Sequence, residues 1–287
     1  MRIHTCAGNL PADMLALCSR KKAIVIRADM KYACGRPRPH NWGDDLNYHL
    51  VRAISGRRVV VQNASFLDLL PVENYVCIGS VLEYKVNPQS VVWGTGVQYG
   101  VRSLAVRPRR ITAVRGQLTH RFLTSQGIDC PATYGDPALL LPRFYRPDVR
   151  KAYRIGFVPH VCDLDNAGLR RYVETHADAT IIDLAHYADW REVIDHICRC
   201  EVIVSSSLHG LIAADAYGVP NAWARFSDKV LGGDFKFLDY FSAVGRESEV
   251  VCIGDTVDMP VLERALAAWR PIRYDDRPLF EACPFKE

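Results

Sequence analysis

The stretch VIVSSSLHGLIAADAYGVP, residues 202–220, joins an apolar run, three consecutive serines, a Leu-His-Gly step and a small-residue apolar segment. The run reads as a buried strand. The segment 208–218 reads as a helix closed by Gly218, with Pro220 just beyond it. A buried strand that passes through a polar turn straight into a helix is the crossover of an open α/β sheet. Ligands of such sheets bind beyond the carboxyl ends of the strands. Ser205, Ser206 and Ser207 supply hydroxyls at that point, and the first amides of a helix lack intrahelical acceptors and favour an anion. His209 stands where its imidazole reaches such an anion and exchanges a proton near neutral pH, and Gly210 lets the backbone approach a ligand. The same residues equally fit a plain turn, in which the serines cap the helix and His209 is satisfied within the fold. Ser-x-His is not the G-x-S-x-G elbow of an α/β hydrolase.

Outward from this turn, apolar runs of strand length alternate with helix-period segments, the pattern of α/β architecture. Toward the N-terminus, 23–28, 58–63, 75–80 and 90–96 read as strands. Residues 44–56 read as a helix with Leu46, Leu50, Ala53 and Ile54 on one face, and 110–128 as a short strand followed by a helix. A further strand and turn follow at 132–142. The segment 142–154 has two prolines, many charges and no period, and is the candidate linker. Beyond it, 155–160, 180–184 and 201–206 read as strands. Helices are expected at 166–177, at 260–270 and at 189–200, the last with Trp190, Val193, Ile194 and Ile197 on one face. This predicts two Rossmann-like α/β domains facing across a cleft: an N-terminal domain over 1–141, a linker over 142–154 and a C-terminal domain over 155–287.

At 287 residues, with 49% hydrophobic and 24% charged residues, the chain has the composition of a soluble globular protein and the length for two modest domains or one large one. No apolar run approaches the roughly 20 residues needed to span a bilayer. Pro11 and Asp13 break the first twenty residues and argue against a secretory signal. The ten cysteines are scattered, with only Cys198 and Cys200 close together. The expectation is buried, reduced thiols in a cytoplasmic protein with no metal site. From Lys85 to Ile128 there is no acid, and the window holds seven cations: Lys85, Arg102, Arg107, Arg109, Arg110, Arg115 and Arg121. Such a window is either a solvated basic face or the place where an anionic ligand is held.

SSSLHGLIAADAYGVP (205–220) resembles the signature of the polysaccharide pyruvyl transferase family, in which a Leu-His-Gly step opens a helix. NWGDDLN (41–47) is similar to the family's N-x-G-D loop. AVRGQLTHRFLTSQGI (113–128) followed by YGDPALLLP (134–142) resembles its Val-Arg segment and Asp-Pro step. IGFVPH (155–160) and DFKFLDYF (234–241) resemble its Pro-His and lysine-aromatic elements. The resemblance implies a GT-B-like fold. It also implies transfer of a pyruvyl group from phosphoenolpyruvate to two hydroxyls of a sugar, leaving a ketal and releasing phosphate. Phosphoenolpyruvate is then a co-substrate and no cofactor is needed. Family analogy places Arg115 and His209 on the donor. Several relatives have Arg-Leu-His where this chain has Ser207-Leu208-His209, so Ser207 with the backbone, or else Arg225, Lys229 or Lys236, is expected to supply the missing interaction. A lipid-linked acceptor, common in the family, implies work at the inner face of the cytoplasmic membrane.

On this reading His209 is the general acid, and Arg115, Ser206, Ser207, Leu208 and Gly210 hold the donor. Asp44 follows the Asn41-Trp42-Gly43 turn; it either orients or deprotonates an acceptor hydroxyl beside Asn41, or stabilises a helix start together with Asp45. His160 is either a cleft residue or a loop histidine, Lys236 either a substrate contact or a salt-bridge partner, and Asp136 a structural turn. The first rival is a GT-B glycosyltransferase using a nucleotide sugar, but its ribose anchor would have to be Asp215, inside the 208–218 helix. The second is a dinucleotide oxidoreductase, but GTGVQYG (94–100) has the wrong glycine spacing and no acid occurs until Asp129. The third is a nucleic-acid-binding module on the 85–128 window, which lacks interleaved aromatics.

Overall fold

The computed structural model describes residues 23–29, 40–62, 72–100, 103–254 and 256–286. The first twenty residues and Arg102 therefore lie outside the described residues. The chain divides into two compact units, Met1–Pro137 with Arg277–Glu287, and Ala138–Asp276. Each carries a five-stranded parallel sheet with helical crossovers, the Rossmann-like arrangement.

The first sheet has the order β2-β1-β3-β4-β5, from β1 (Ala23–Ile26), β2 (Arg58–Val61), β3 (Asn74–Val76), β4 (Ser90–Trp93) and β5 (Arg110–Ala113). Residues of β1 and β4 are buried throughout, as expected of parallel strands covered on both faces. The helices are α1 (Trp42–Ser55), α2 (Leu82–Lys85) and α3 (Gln117–Thr124). Helix α1 buries Leu46, Leu50 and Val51 and leaves Ala53 exposed. Val51 rather than Ala53 completes the stripe, because the larger side chain removes more apolar surface from water. The helix stops at Gly56, whose φ of 62° suits a residue without Cβ.

The chain's end returns to this unit instead of closing the second one, unlike the expected 155–287 domain. Trp93 Nε1 donates to the Leu279 carbonyl at 2.9 Å, and Phe285 meets Tyr75 and Trp93 edge-on, each at 5.3 Å. Leu279 and Phe285 are buried there. At the other boundary, a 3-10 helix (Pro137–Arg143) buries Leu140 and Leu141, and residues 144–152 carry no regular structure before the next strand.

The second sheet has the order β10-β9-β8-β6-β7. Its elements are β6 (Tyr153–Val158), α4 (Ala167–Thr175), β7 (Ala179–Ile181), α5 (Trp190–Arg199), β8 (Cys200–Ser205), α6 (Leu208–Ala216), β9 (Asn221–Arg225), α7 (Phe235–Val244), β10 (Val251–Cys252) and α8 (Met259–Ala268). Asn166, Asp189 and Asp258 cap α4, α5 and α8 by accepting main-chain N–H bonds. The expected strand, serine turn and helix of 202–220 are β8, the turn and α6. Helix α6 is buried from Leu208 to Asp215, so it carries no polar stripe. A Cβ on Gly210 would lie 2.4 Å from Ser205 Oγ and 2.7 Å from Val158 Cγ1. Close helix–strand packing thus requires the glycine of Leu-His-Gly.

Asp215, within α6, is the polar hub of this unit. Its carboxylate accepts from Asn221 Nδ2 (2.7 Å), Tyr240 Oη (2.9 Å), Arg246 Nη1 (2.9 Å) and Trp269 Nε1 (3.3 Å). It thereby joins α6 to β9, α7 and the residue after α8. Cys77, Cys130, Cys162, Cys198, Cys200, Cys252 and Cys283 are free thiols, and Cys252 is exposed instead of buried. Among the described residues no helix is long and apolar enough to cross a membrane.

Candidate active site

The serine turn lies at the carboxyl edge of the second sheet, and its three hydroxyls differ. Ser205 Oγ accepts from the Ser207 amide (3.0 Å) and donates to the Val158 carbonyl (2.9 Å), tying β8 to β6. Ser206 Oγ donates to Asp163 Oδ2 (3.0 Å) and accepts from the His160 amide (2.9 Å). Ser207 is the N-cap residue of α6, yet its hydroxyl makes no cap bond to the helix. Ser205 and Ser206 build the turn, and Ser207 stands at its mouth beside the first amides of α6. Leu208 is buried beneath it.

Asp163 was not singled out by sequence reasoning, and it organises the site. Its other carboxylate oxygen accepts from Ser227 Oγ, and its amide donates to the His160 carbonyl at 2.7 Å. One buried carboxylate therefore holds the loop after β6, the serine turn and the loop after β9. A cavity of about 280 Å³ opens here, lined by Ser206, Trp223, Arg225, Ser227, Asp234 and Phe237 among others. Phe237 stacks on Trp223 at 4.9 Å, and Lys236 Nζ lies 5.4 Å from the Phe237 ring centre.

Three sequence candidates come together at this edge. Burial pushes the His160 imidazole down to about 4; the charges of Lys236 and His209 push the same way, and Asp163 opposes them. Lys236 and His209 are both buried, so their fields act through little solvent. Of the three cations considered for the missing arginine, Lys229 is exposed and Arg225 lines the cavity paired to Asp234. Lys236 alone of them is both buried and near enough for its charge to act on His160. It sits in the first turn of α7, where the helix dipole disfavours a cation and favours an anion.

The depressed His160 value has a consequence in acid. The unfolded chain takes up this proton near 6.5 and the folded chain only near 4, so stability is full above the first value and falls as pH drops toward the second. Urea unfolding of His160→Gln is expected to show a shallower loss of stability over that window than the unsubstituted protein.

The N-terminal candidates lie in the first unit. Asn41 Nδ2 donates to Asp44 Oδ2 at 2.7 Å, and the other Asp44 oxygen lies 3.1 Å from where a Gly79 Cβ would be. Asp44 is half-buried beside the loop after β3. Asp45 is fully buried against His40 (3.3 Å), and Asn47 clamps that loop by exchanging bonds with both main-chain groups of Ile78. Asp45 and Asn47 are structural members of the GDDLN motif. Arg115 is fully buried. Its guanidinium donates to Ser80 Oγ (2.6 Å) and the Val97 carbonyl (2.8 Å) and lies flat against Gly96, where a Cβ would be 2.5 Å from Cζ. The rest of the cationic window is largely engaged. Lys85 pairs with Asp29, Arg109 with Glu73, and Arg107 donates to carbonyls at the end of α3. Among the described residues no group of three or more His, Cys, Asp or Glu is placed to hold a metal ion.

A family model described as polysaccharide pyruvyl transferase matches residues 40–224, from the residue before Asn41 into β9. Lys236 lies beyond that span. An uncharacterized protein of Acanthamoeba polyphaga mimivirus is 28% identical over 214 residues, which cover 73% of this chain and 72% of that protein. Succinoglycan biosynthesis protein ExoV of Rhizobium meliloti (strain 1021) is 30% identical over 224 residues, covering 71% of this chain and 62% of that protein.

Proposed function

Because the chain belongs to the polysaccharide pyruvyl transferase family, we propose that it is a pyruvyltransferase of polysaccharide biosynthesis. It moves the pyruvyl group of phosphoenolpyruvate onto two hydroxyls of a sugar. A GT-B-like pairing of the units belongs to this proposal, with the acceptor assigned to the first unit, near Asp44 and Asn41, and the donor to the second. The observation that carries the reading is the grouping of Lys236, His160 and His209 around the serine turn, at the carboxyl edge of a parallel sheet.

Phosphoenolpyruvate carries about three negative charges near neutral pH on a carboxylate and a phosphate. Lys236, the Ser207 hydroxyl and the first amides of α6 are the proposed anion contacts. His209 gives a proton to the methylene carbon, which becomes a methyl group and leaves a cation at the neighbouring carbon. One sugar hydroxyl attacks that carbon and loses its proton, with Asp44 the proposed base. Phosphate then leaves with its bonding pair, and the second hydroxyl closes the ketal as it loses its own proton. In this scheme Arg115 is a strut of the first unit, with two of its five N–H groups donating to Ser80 and Val97. The nucleotide-sugar alternative gains no support, because Asp215 is held by four partners inside the fold.

The test is release of inorganic phosphate from phosphoenolpyruvate in the presence of candidate glycans. Lys236→Met keeps the length of the side chain and removes its charge. It is expected to raise KM for phosphoenolpyruvate by roughly 10- to 100-fold, the loss of a charge-assisted bond to an anion. An unchanged KM would assign the donor's charge to another residue.

A further inference from the structure

His160 follows Pro159 at the end of β6 and is the N-cap residue of a 3-10 turn, Val161–Asp163. The Cys162 main-chain N–H lies 3.3 Å from His160 Nδ1, and the Cys162 thiol sulfur lies 3.0 Å from the same nitrogen. A main-chain N–H only donates, so Nδ1 is an acceptor and the neutral ring carries its proton on Nε2. The main chain around the ring is fixed as well: the His160 amide donates to Ser206 Oγ, and its carbonyl accepts from the Asp163 amide. Among the described residues no group accepts a hydrogen bond from Nε2. The ring is thus held rigidly on one side and offers a donor on the other.

We propose that His160 serves as a neutral hydrogen-bond donor through Nε2–H to the anionic donor substrate, with Cys162 as the residue that fixes its tautomer. The inference rests on the proposed function and adds a division of labour between the two histidines. His209 moves a proton, Lys236 brings charge, and His160 brings direction without charge. The groups that act on the ring favour this state on balance. Burial, Lys236 and His209 oppose its protonation, and only Asp163 favours it. A further cation beside Lys236 and the His209 acid would raise the energy of the unliganded site, whereas a neutral donor does not.

Long-range nitrogen–proton NMR of the labelled protein reads the tautomer directly. The expected result is a protonated Nε2 and a bare Nδ1 at His160 from about pH 5.5 to 8, with the Nε2–H signal shifted on addition of phosphoenolpyruvate. A proton on Nδ1, or titration of this ring near its ordinary value, overturns the proposal. Kinetics give an independent reading. The Gln amide nitrogen reproduces Nε2–H and the Asn amide reproduces Nδ1. His160→Gln is therefore expected to keep KM for phosphoenolpyruvate within about threefold, and His160→Asn to raise it roughly 10- to 100-fold with kcat less affected. Equal losses in both variants overturn the proposal, and the NMR result decides should either variant fail to fold. Normal turnover with an unshifted Nε2–H overturns the His160 contact alone. Absence of both turnover and shift overturns the ligand assignment together with the function it rests on.

Discussion

His209→Ala is expected to lower kcat for phosphate release by about 10²–10⁴-fold, the usual contribution of a positioned acid. No other described group is as well placed for the task. The His160 ring has its value pushed down to about 4 and stays neutral, and the ammonium of Lys236 is assigned to charge neutralisation. His209 is in the first turn of α6, buried, two residues after the Ser207 N-cap. Alanine is a good helix former and keeps α6 helical, but His209 is buried, so loss of its ring is expected to cost about 1–3 kcal/mol of unfolding free energy, which urea unfolding reads separately from kcat. KM for phosphoenolpyruvate is expected to change little, because the proton moves only in the transition state. A variant that turns over within tenfold of the unsubstituted protein would remove His209 from the chemistry.

Asp215→Ala is expected to destabilise the protein by about 3–5 kcal/mol, the effect of leaving a buried charge without its partner. Asp215 is fully buried and Arg246 is 7% exposed, so water does not replace the lost carboxylate. The Arg246 guanidinium also packs 4.8 Å over Phe241 and donates to Asn221 Oδ1 at 2.6 Å, which keeps it in place once orphaned. Tyr240 Oη and Trp269 Nε1 lose an acceptor at the same time. Native domains have only about 5–15 kcal/mol in total, so much of the molecule's stability is at stake. The Asp215→Ala, Arg246→Met pair is expected to recover part of the loss, since it removes the orphaned charge as well. Urea unfolding measures both. A loss below about 1 kcal/mol in the single variant would mean that the hub is solvated.

How much of this was legible in the residues depends on the range of each interaction. The β8–turn–α6 crossover was readable because Val202 to Pro220 carries its own punctuation: an apolar run, serines, then a helix ended at Gly218. The strand β9 was not, since NAWAR is short and has two alanines, weak strand formers. Nor was α7, where Phe235, Phe237, Tyr240 and Phe241 surround the helix and erase any polar stripe. Asp163 escaped notice because Ser206 and Ser227, its partners, are 43 and 64 residues away. Asn47 and Ile78 are 31 apart and equally silent. Arg115 shows the same limit of range. A lone arginine after a strand reads as an anion ligand, and only the three-dimensional placement of Ser80, Gly96 and Val97 shows what holds its guanidinium.

The donor's location is tested most directly by a crystal structure of the protein soaked with phosphoenolpyruvate. The expected density sits at the serine turn, with an anionic group within hydrogen-bond reach of Lys236 Nζ, His160 Nε2 and the first amides of α6, and the methylene carbon facing His209. Density for the intact donor at any other place, with Lys236 and both imidazoles untouched, would contradict the assignment.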